Sequence, residues 1–322
     1  MKTLFIGAYG FGNLGDELVL MESLEAFPSS EVWVRSVSKE FTSKFIKCNK
    51  FIPWEPACPN KNFKLKFDRV VIGGGGILNG PPGRDYMSWI VAAQNSGAET
   101  HVHNIGASGP DDDWWITPDI RNAFEKLDSF TVRDTDSLSK FKKWGIKREI
   151  GMTNFPETSI LADNSVADLL PDGNKYLGIS VNNGDAFFDM ANRNRAQILE
   201  LVNKFKDHKV VPIISTVHLF ADVENDIKGF HRFTEKFLKG FEVVLPETLD
   251  KDWWYKHMSP RSLKGLIAKC DVLISRRKHN CVHAIASGVR VIGLSRKQDY
   301  GVQSAFDSLK DILPPGSESL RL

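Results

Sequence analysis

The sequence predicts an α/β fold with two Rossmann-like domains facing each other across a cleft. Three observations lead there. Short β-branched runs alternate with helical patterns along almost the whole chain, the pattern of parallel sheets with crossover helices. The runs come in two series, separated by an irregular polar stretch over 151–175 that carries Pro156 and Pro171. Glycine-rich or cationic loops follow the strands of both series, at the sheet edge where open α/β sheets bind ligands. A chain of 322 residues also exceeds what one hydrophobic core usually serves. The expected domains are 1–160 and 161–322.

The first series opens with "TLFIGA". A helix follows Gly15, with Leu20, Leu24 and Phe27 on one face. Then come "EVWVRSV", "RVVIGGGG", "HVHNIGA" and "SFTVRD". The second series reads "YLGISV", "KVVPIIST", "EVVLP", "DVLISR" and "VRVIGLS", with helices over "RAQILELVNKFKDH" and "RSLKGLIAKC". The linker should hold one short helix. The tail "SLKDILPPGSESLRL" reads as a turn or two of helix and then a mobile polar end.

Composition narrows the function classes. A formal net charge of +2 lacks the basic excess of a dedicated nucleic-acid binder. The opening "MKTLFIGAYG" breaks at glycines and then meets Asp16 and Glu17, so it reads as a first strand rather than a secretory signal. No window approaches the roughly 18 apolar residues of a membrane helix. Cys48, Cys58, Cys270 and Cys281 form no C-x-x-C pair, which points to a reducing, cytoplasmic setting.

The segment Gly10-Phe11-Gly12-Asn13-Leu14-Gly15 is a literal G-x-G-x-x-G between a strand and a helix. Two features oppose a nicotinamide site. The second strand ends in Arg35, Ser36 and Ser38, with no acidic residue for a ribose before Glu40, although an arginine there suits the 2′-phosphate of NADP. Asp16 and Glu17 sit on the helix N-terminus, where they satisfy the dipole and repel a pyrophosphate. A tight turn without ligand is one reading. The other is a loop for uncharged hydroxyl-rich groups, with Gly12 for close approach and Asn13, Asp16 and Glu17 as partners. Gly73 to Gly76, including Gly74 and Gly75, end a later strand and allow a ligand or a helix to come close. Gly106 and Gly109-Pro110 end the next strand similarly.

Cations cluster after two strands. Arg133-Asp134 follows "SFTV", with Thr135 or Asp136 as helix cap. Arg276, Arg277, Lys278 and His279 follow "DVLIS" and precede a small-residue helix. Such a loop suits an anion, with guanidinium binding a carboxylate or phosphate bidentately and histidine moving a proton. His279 and His283 lie four apart with Cys281 between, but Asn280 stands where a zinc-protease helix needs Glu, so no metal is expected and His283 reads as packed. His218 and Asp222 follow another strand and are further candidates. The pairs Trp114-Trp115 and Trp253-Trp254 suit either core packing or sugar stacking.

Together these loops resemble the polysaccharide pyruvyl transferase family. The opening pattern G-x-x-G-x-G-N-x-G-D-E is matched from Gly10 to Glu17. Gly73 to Gly76 match a G-G-G-G strand end, and Gly106 to Pro110 approximate a G-x-G-P end. Val132, Arg133, Asp134 and Ser137 match V-R-D-x-x-S. Arg277, His279, Gly288, Val289 and Val291 match R-x-H followed by G-V-x-V. The resemblance implies a fold similar to GT-B glycosyltransferases and transfer of the pyruvyl group of phosphoenolpyruvate onto two hydroxyls of one sugar, giving a ketal. It implies no cofactor, with phosphoenolpyruvate as co-substrate. His279 would be the acid/base, Arg133 and Arg277 would hold the donor with Arg276 and Lys278 beside them, and the acceptor would be a sugar or polysaccharide precursor, at a membrane surface where that precursor is lipid-linked. The chain departs from the family at Asn182 (usually Arg), at Phe155-Pro156 (usually Asp-Pro), at "SRKQDYG" (usually Tyr-Asp-x-Lys) and at Lys278 (usually Leu). Two other readings stay open: a nucleotide-sugar glycosyltransferase, opposed by His283 where those enzymes carry Glu, and a non-enzymatic sugar-binding protein.

Overall fold

The computed structural model describes residues 1–54, 66–107, 112–296 and 300–322, the last segment without the side chain of residue 300. Cys58, Gly109 and Pro110 lie outside the described residues. The chain forms two compact units, Met1–Phe11 with Gly15–Pro156 and Gly12–Leu14 with Glu157–Leu322. The division thus falls just before Glu157, and a three-residue piece of the first glycine loop goes with the second unit.

Among the described residues, unit 1 is built on seven parallel strands: β1 (Lys2–Ile6), β2 (Glu31–Arg35), β3 (Lys50–Ile52), β4 (Arg69–Gly73), β5 (Glu99–Ile105), β6 (Ser129–Val132) and β7 (Gly151–Met152). Their order is β3-β2-β1-β4-β5-β6-β7. Side chains alternate across the sheet, so Leu4, Ile6, Val70 and Ile72 enter one core cluster while Phe5, Val34 and Val71 enter the other. Both faces are covered, which is why these strands read as continuous apolar runs. Strand order reverses between β1 and β4, placing the loops after Ile6 and Gly73 at the switch point where α/β sheets bind ligands.

Among the described residues, unit 2 carries five parallel strands: β8 (Tyr176–Ser180), β9 (Lys209–Pro212), β10 (Val272–Ser275), β11 (Arg290–Ser295) and β12 (Glu318–Arg321). The order β12-β11-β10-β8-β9 puts the switch point between β8 and β10. The backbone N–H of Arg276 still donates to the Ser180 carbonyl at 2.8 Å, extending the β8–β10 ladder into the cationic loop.

Several elements differ from the sequence expectation. "EVVLP" is no full strand. Val243 makes one bridge to Val210, then Leu245 turns left-handed at φ 55° and Pro246 opens a 3₁₀ turn. The tail ends in order, because β12 pairs with β11 from Ile292–Glu318 to Ser295–Arg321. The edge strands β3 and β7 are too short, at three and two residues, to leave a periodic signal. The helix Thr135–Lys143 is capped by Asp134, whose carboxylate accepts from Ser137 N–H at 2.8 Å, not by Thr135 or Asp136.

Candidate functional site

A cluster of hydrogen-bonded polar groups lies at the switch point of unit 2. Arg277 leaves β10, and the helix Lys278–Ala286 begins immediately after it. The Ser275 hydroxyl accepts from Arg277 N–H at 2.9 Å, which bends the chain out of the strand. The guanidinium is then held by acidic groups. Nε and Nη2 donate to Asp226 Oδ1 at 2.8 and 2.6 Å. Nη2 also donates to the Glu224 carbonyl at 2.8 Å, and Nη1 to the Glu224 carboxylate. Burial works against the Arg277 charge, but Asp226 and Glu224 outweigh it and raise its proton affinity above the ordinary arginine value.

Beneath this pair runs a buried polar network. Asp226, fully buried, accepts through Oδ2 from the Ser215 N–H, the Ser215 hydroxyl and the Thr216 N–H at 2.9–3.0 Å. Asn280 Nδ2 donates to Ser215 and Ser180 at 3.1 and 2.6 Å. The ends of β8, β9 and β10 are thereby tied to the helix that presents His279. Asn280 Oδ1 is buried with no hydrogen-bond partner among the described residues. Arg276 lies beside the network, its Nε donating to Asn182 Oδ1 at 2.9 Å and its guanidinium over the Phe187 ring. Asn182 thus serves a cation where the family usually has one. Lys278 is the first helical residue and half-buried.

His279 meets a carboxylate that sequence reasoning passed over as part of the linker. Its Nδ1 contacts the Glu157 carboxylate; the Glu157 side chain is 0 % exposed and the imidazole 18 %. Burial alone would raise the Glu157 pKa, but the neighbouring His279 reverses this and holds it at about 2. On the next helical turn His283 is buried and lowered to about 4, chiefly by burial, so it stays neutral at neutral pH. His218 is positioned by its own loop: Nδ1 accepts from the Phe220 and Ala221 N–H groups at 3.1 and 2.9 Å. Burial lowers its proton affinity, with Arg277 adding to the effect and Glu224 opposing it.

The first glycine loop has a structural assignment that the ligand reading did not foresee. Asn13 forms an antiparallel bridge with Thr216, and Val217 N–H donates to the Gly12 carbonyl at 2.9 Å. A Cβ on Gly12 would stand 2.3 Å from the Val217 carbonyl, and its φ is +85°, so glycine is required by the protein's own backbone. In unit 1, Glu17 accepts from Gly10 N–H at 2.7 Å and from Thr42 at 3.3 Å. It is fully buried, and burial raises its pKa to about 8. Asp16 packs against the bare face of Gly75, where a Cβ would lie 2.8 Å from its carboxylate, and Gly74 turns beside it with φ +87°. These residues fold the loop. Arg133, 4 % exposed, lies under Gly106 and 3.9 Å from Asp134.

Unit 1 also holds a cavity of about 450 Å³, lined by Gly76, Ile77, Asn79, Pro81, Asp112 and Trp114 among others. The two tryptophan pairs divide. Trp115 and Trp254 are core, while Trp114 is 62 % exposed at the cavity wall. Among the described residues no three His, Cys, Asp or Glu side chains converge as metal ligands.

The family description "polysaccharide pyruvyl transferase" matches residues 13–298. The chain belongs to the polysaccharide pyruvyl transferase family. No curated protein matches it. Among solved structures it is similar to the UDP-GlcNAc 2-epimerase of Neisseria meningitidis bound to UDP-GlcNAc, at 13% identity and TM-score 0.57, over 95% of this chain and 85% of that one. The UDP-GlcNAc 2-epimerase of Methanocaldococcus jannaschii gives 11% identity and TM-score 0.57, over 100% and 89%. HepE of Anabaena in complex with UDP gives 11% and 0.56, over 92% and 81%. At these identities the likeness is one of fold, and the fold is the two-Rossmann, GT-B-like class that the sequence predicts. In this pyruvyl transferase family member, no helix among the described residues is long and apolar enough to cross a membrane.

Proposed function

We propose that the protein transfers the pyruvyl group of phosphoenolpyruvate onto two hydroxyls of one sugar, in a polysaccharide or its precursor, and closes a ketal. The observation that carries this reading is the His279–Glu157 pair, whose imidazole directly follows Arg276, Arg277 and Lys278 in the chain. Phosphoenolpyruvate has a carboxylate and a phosphate, and the loop offers cations beside an imidazole that can donate or accept a proton. The donor's methylene carbon takes a proton and the central carbon becomes cationic. One sugar hydroxyl adds there and loses its proton. The carbon–oxygen bond to phosphate breaks, phosphate leaves with its electron pair, and the second hydroxyl adds and loses its proton. His279 moves protons in this sequence, and the guanidinium charge stabilises the departing phosphate.

Arg277 starts this reaction already paired. Asp226 is buried and bonded on every side, whereas the Glu224 side chain is 39 % exposed. The donor's carboxylate therefore displaces Glu224 and leaves Asp226 in place. In unit 1 the reading assigns Arg133 to anion binding and the exposed Trp114 ring to the acceptor sugar, whose apolar face stacks on an indole. Glu17, Asp16, Gly12, Gly74 and Gly75 act through the loops they fold.

The test is thermal unfolding with phosphoenolpyruvate, UDP-sugars and NADPH, on wild type and Arg277→Ala. A ligand that binds only the folded state raises the midpoint. A rise with phosphoenolpyruvate alone, lost in the variant, is the expected result, and phosphate release with a panel of sugars then identifies the acceptor. A rise with a UDP-sugar and none with phosphoenolpyruvate overturns the proposal in favour of glycosyl transfer.

A further inference from the structure

We infer that Glu157 is the positioning residue of His279: its carboxylate holds the imidazole proton on Nδ1, so that Nε2 is the nitrogen offered to substrate. The catalytic part of this inference rests on the proposed role of His279; the tautomer itself does not.

Four observations support it. First, an ionised carboxylate has only acceptor sites, so the contact between Glu157 and His279 Nδ1 requires the proton to sit on Nδ1. Second, Glu157 is wholly buried, which is costly for a carboxylate unless a partner compensates. The turn Pro156–Ser159 is only four residues long and gains little from an acidic residue in its first turn. His279 is the compensating group. His283, the other imidazole near Glu157, is neutral and its Nδ1 has no hydrogen-bond partner among the described residues.

Third, the turn bearing Glu157 is fixed from below. Lys264 Nζ donates to the carbonyls of Glu157 and Ile160 at 2.8 and 2.7 Å. The next residue, Gly265, packs so closely that a Cβ would stand 2.2 Å from the Asp163 carbonyl. A buried lysine that satisfies two carbonyls stops the turn from rotating its carboxylate away. Fourth, the other end of the pair is fixed as well, because Asn280, next to His279, is bonded to Ser180 and Ser215. Both partners are thus held by separate networks. That is the arrangement of a histidine oriented by a third group, in which the carboxylate sets tautomer and direction and need not itself take a proton.

The experiment is long-range ¹H–¹⁵N spectroscopy of the full chain labelled in histidine, with His279→Gln used for assignment. In the neutral form of the wild type, His279 should show a single tautomer protonated on Nδ1. Glu157→Gln places a group there that both donates and accepts, and His279 should become a mixture of tautomers. Glu157→Asp keeps the charge and should restore the single form in part. A wild-type His279 protonated on Nε2, or an unchanged tautomer in Glu157→Gln, overturns the inference, and the wild-type spectrum decides it even where the variants fail to fold. With an acceptor in hand, Glu157→Gln should lower kcat about 100-fold, leaving KM for phosphoenolpyruvate unchanged. A raised KM at unchanged kcat would show that Glu157 serves binding instead. Failure of phosphoenolpyruvate to bind, with the tautomer as expected, would sink the proposed reaction and leave the positioning role standing.

Discussion

Glu17 in unit 1 and Glu157 in unit 2 are both 0 % exposed, yet their carboxyls are driven in opposite directions, to about 8 and about 2. Burial raises both. Glu17 receives one backbone N–H and one hydroxyl, and Asp16 adds a like charge, so burial prevails and the group stays protonated at neutral pH. Glu157 faces the His279 imidazole, and that interaction outweighs its burial. A neutral buried carboxyl is a structural hydrogen-bonding group that pins a glycine turn. A charged one is an electrostatic device, and here it sits under the residue proposed to move protons. Two acidic residues, each in the first turn of a helical segment, thus have different work, and the difference comes from what each one faces.

The largest effect that sharpens this contrast is Glu157→Ala. Removing one partner of a buried pair should destabilise the protein by about 3 kcal/mol, toward the lower end of such losses because the imidazole keeps some solvent. Urea unfolding at neutral pH measures it, and a loss no larger than that of a surface substitution would mean the pair contributes nothing. The next effect is in pH. Glu17 has a folded pKa above its unfolded value of 4.5. Its stabilisation is therefore complete below pH 4.5 and lost as pH rises from there to about 8. Glu157 has a folded pKa below 4.5, so its contribution is present above pH 4.5 and lost as pH falls to about 2. Stability difference curves against pH should accordingly slope oppositely. Glu17→Gln should gain on the order of 2 kcal/mol over wild type at pH 9, while Glu157→Gln should flatten only the acid arm. Parallel curves for the two variants would erase the distinction.

Smaller effects test the substrate side. Glu224→Gln should tighten phosphoenolpyruvate binding about fivefold, ~1 kcal/mol, because the competing surface carboxylate is gone. Calorimetric titration reads this, and weaker binding would make Glu224 a helper rather than a competitor. Trp114→Ala should change stability by less than about 0.5 kcal/mol, since the ring is exposed, while weakening the acceptor in steady-state kinetics. An unchanged KM for the acceptor would return Trp114 to the role of an ordinary surface residue.

Much of this was legible in the sequence. Parallel strands buried on both faces write themselves as apolar runs, and loops after such strands collect the residues that chemistry needs. That is why β1, β4, β8 and β10 and the cations from Arg276 to His279 could be found by reading. The family pattern was legible too, because it is made of local motifs. Three things were decided only by tertiary structure. Gly12 and Asn13 look like a ligand loop, yet their backbone pairs with residues 215–217 some two hundred positions away. β12 has no periodic signature of its own and becomes a strand only because β11 offers it an edge. Glu157 lies 122 residues from His279, in a stretch that reads as a spacer. Local sequence specifies which conformations and charges a segment brings. Which charge faces which, and therefore whether a buried carboxyl is neutral or ionised, depends on contacts between residues far apart in the chain, and those exist only once the fold has closed.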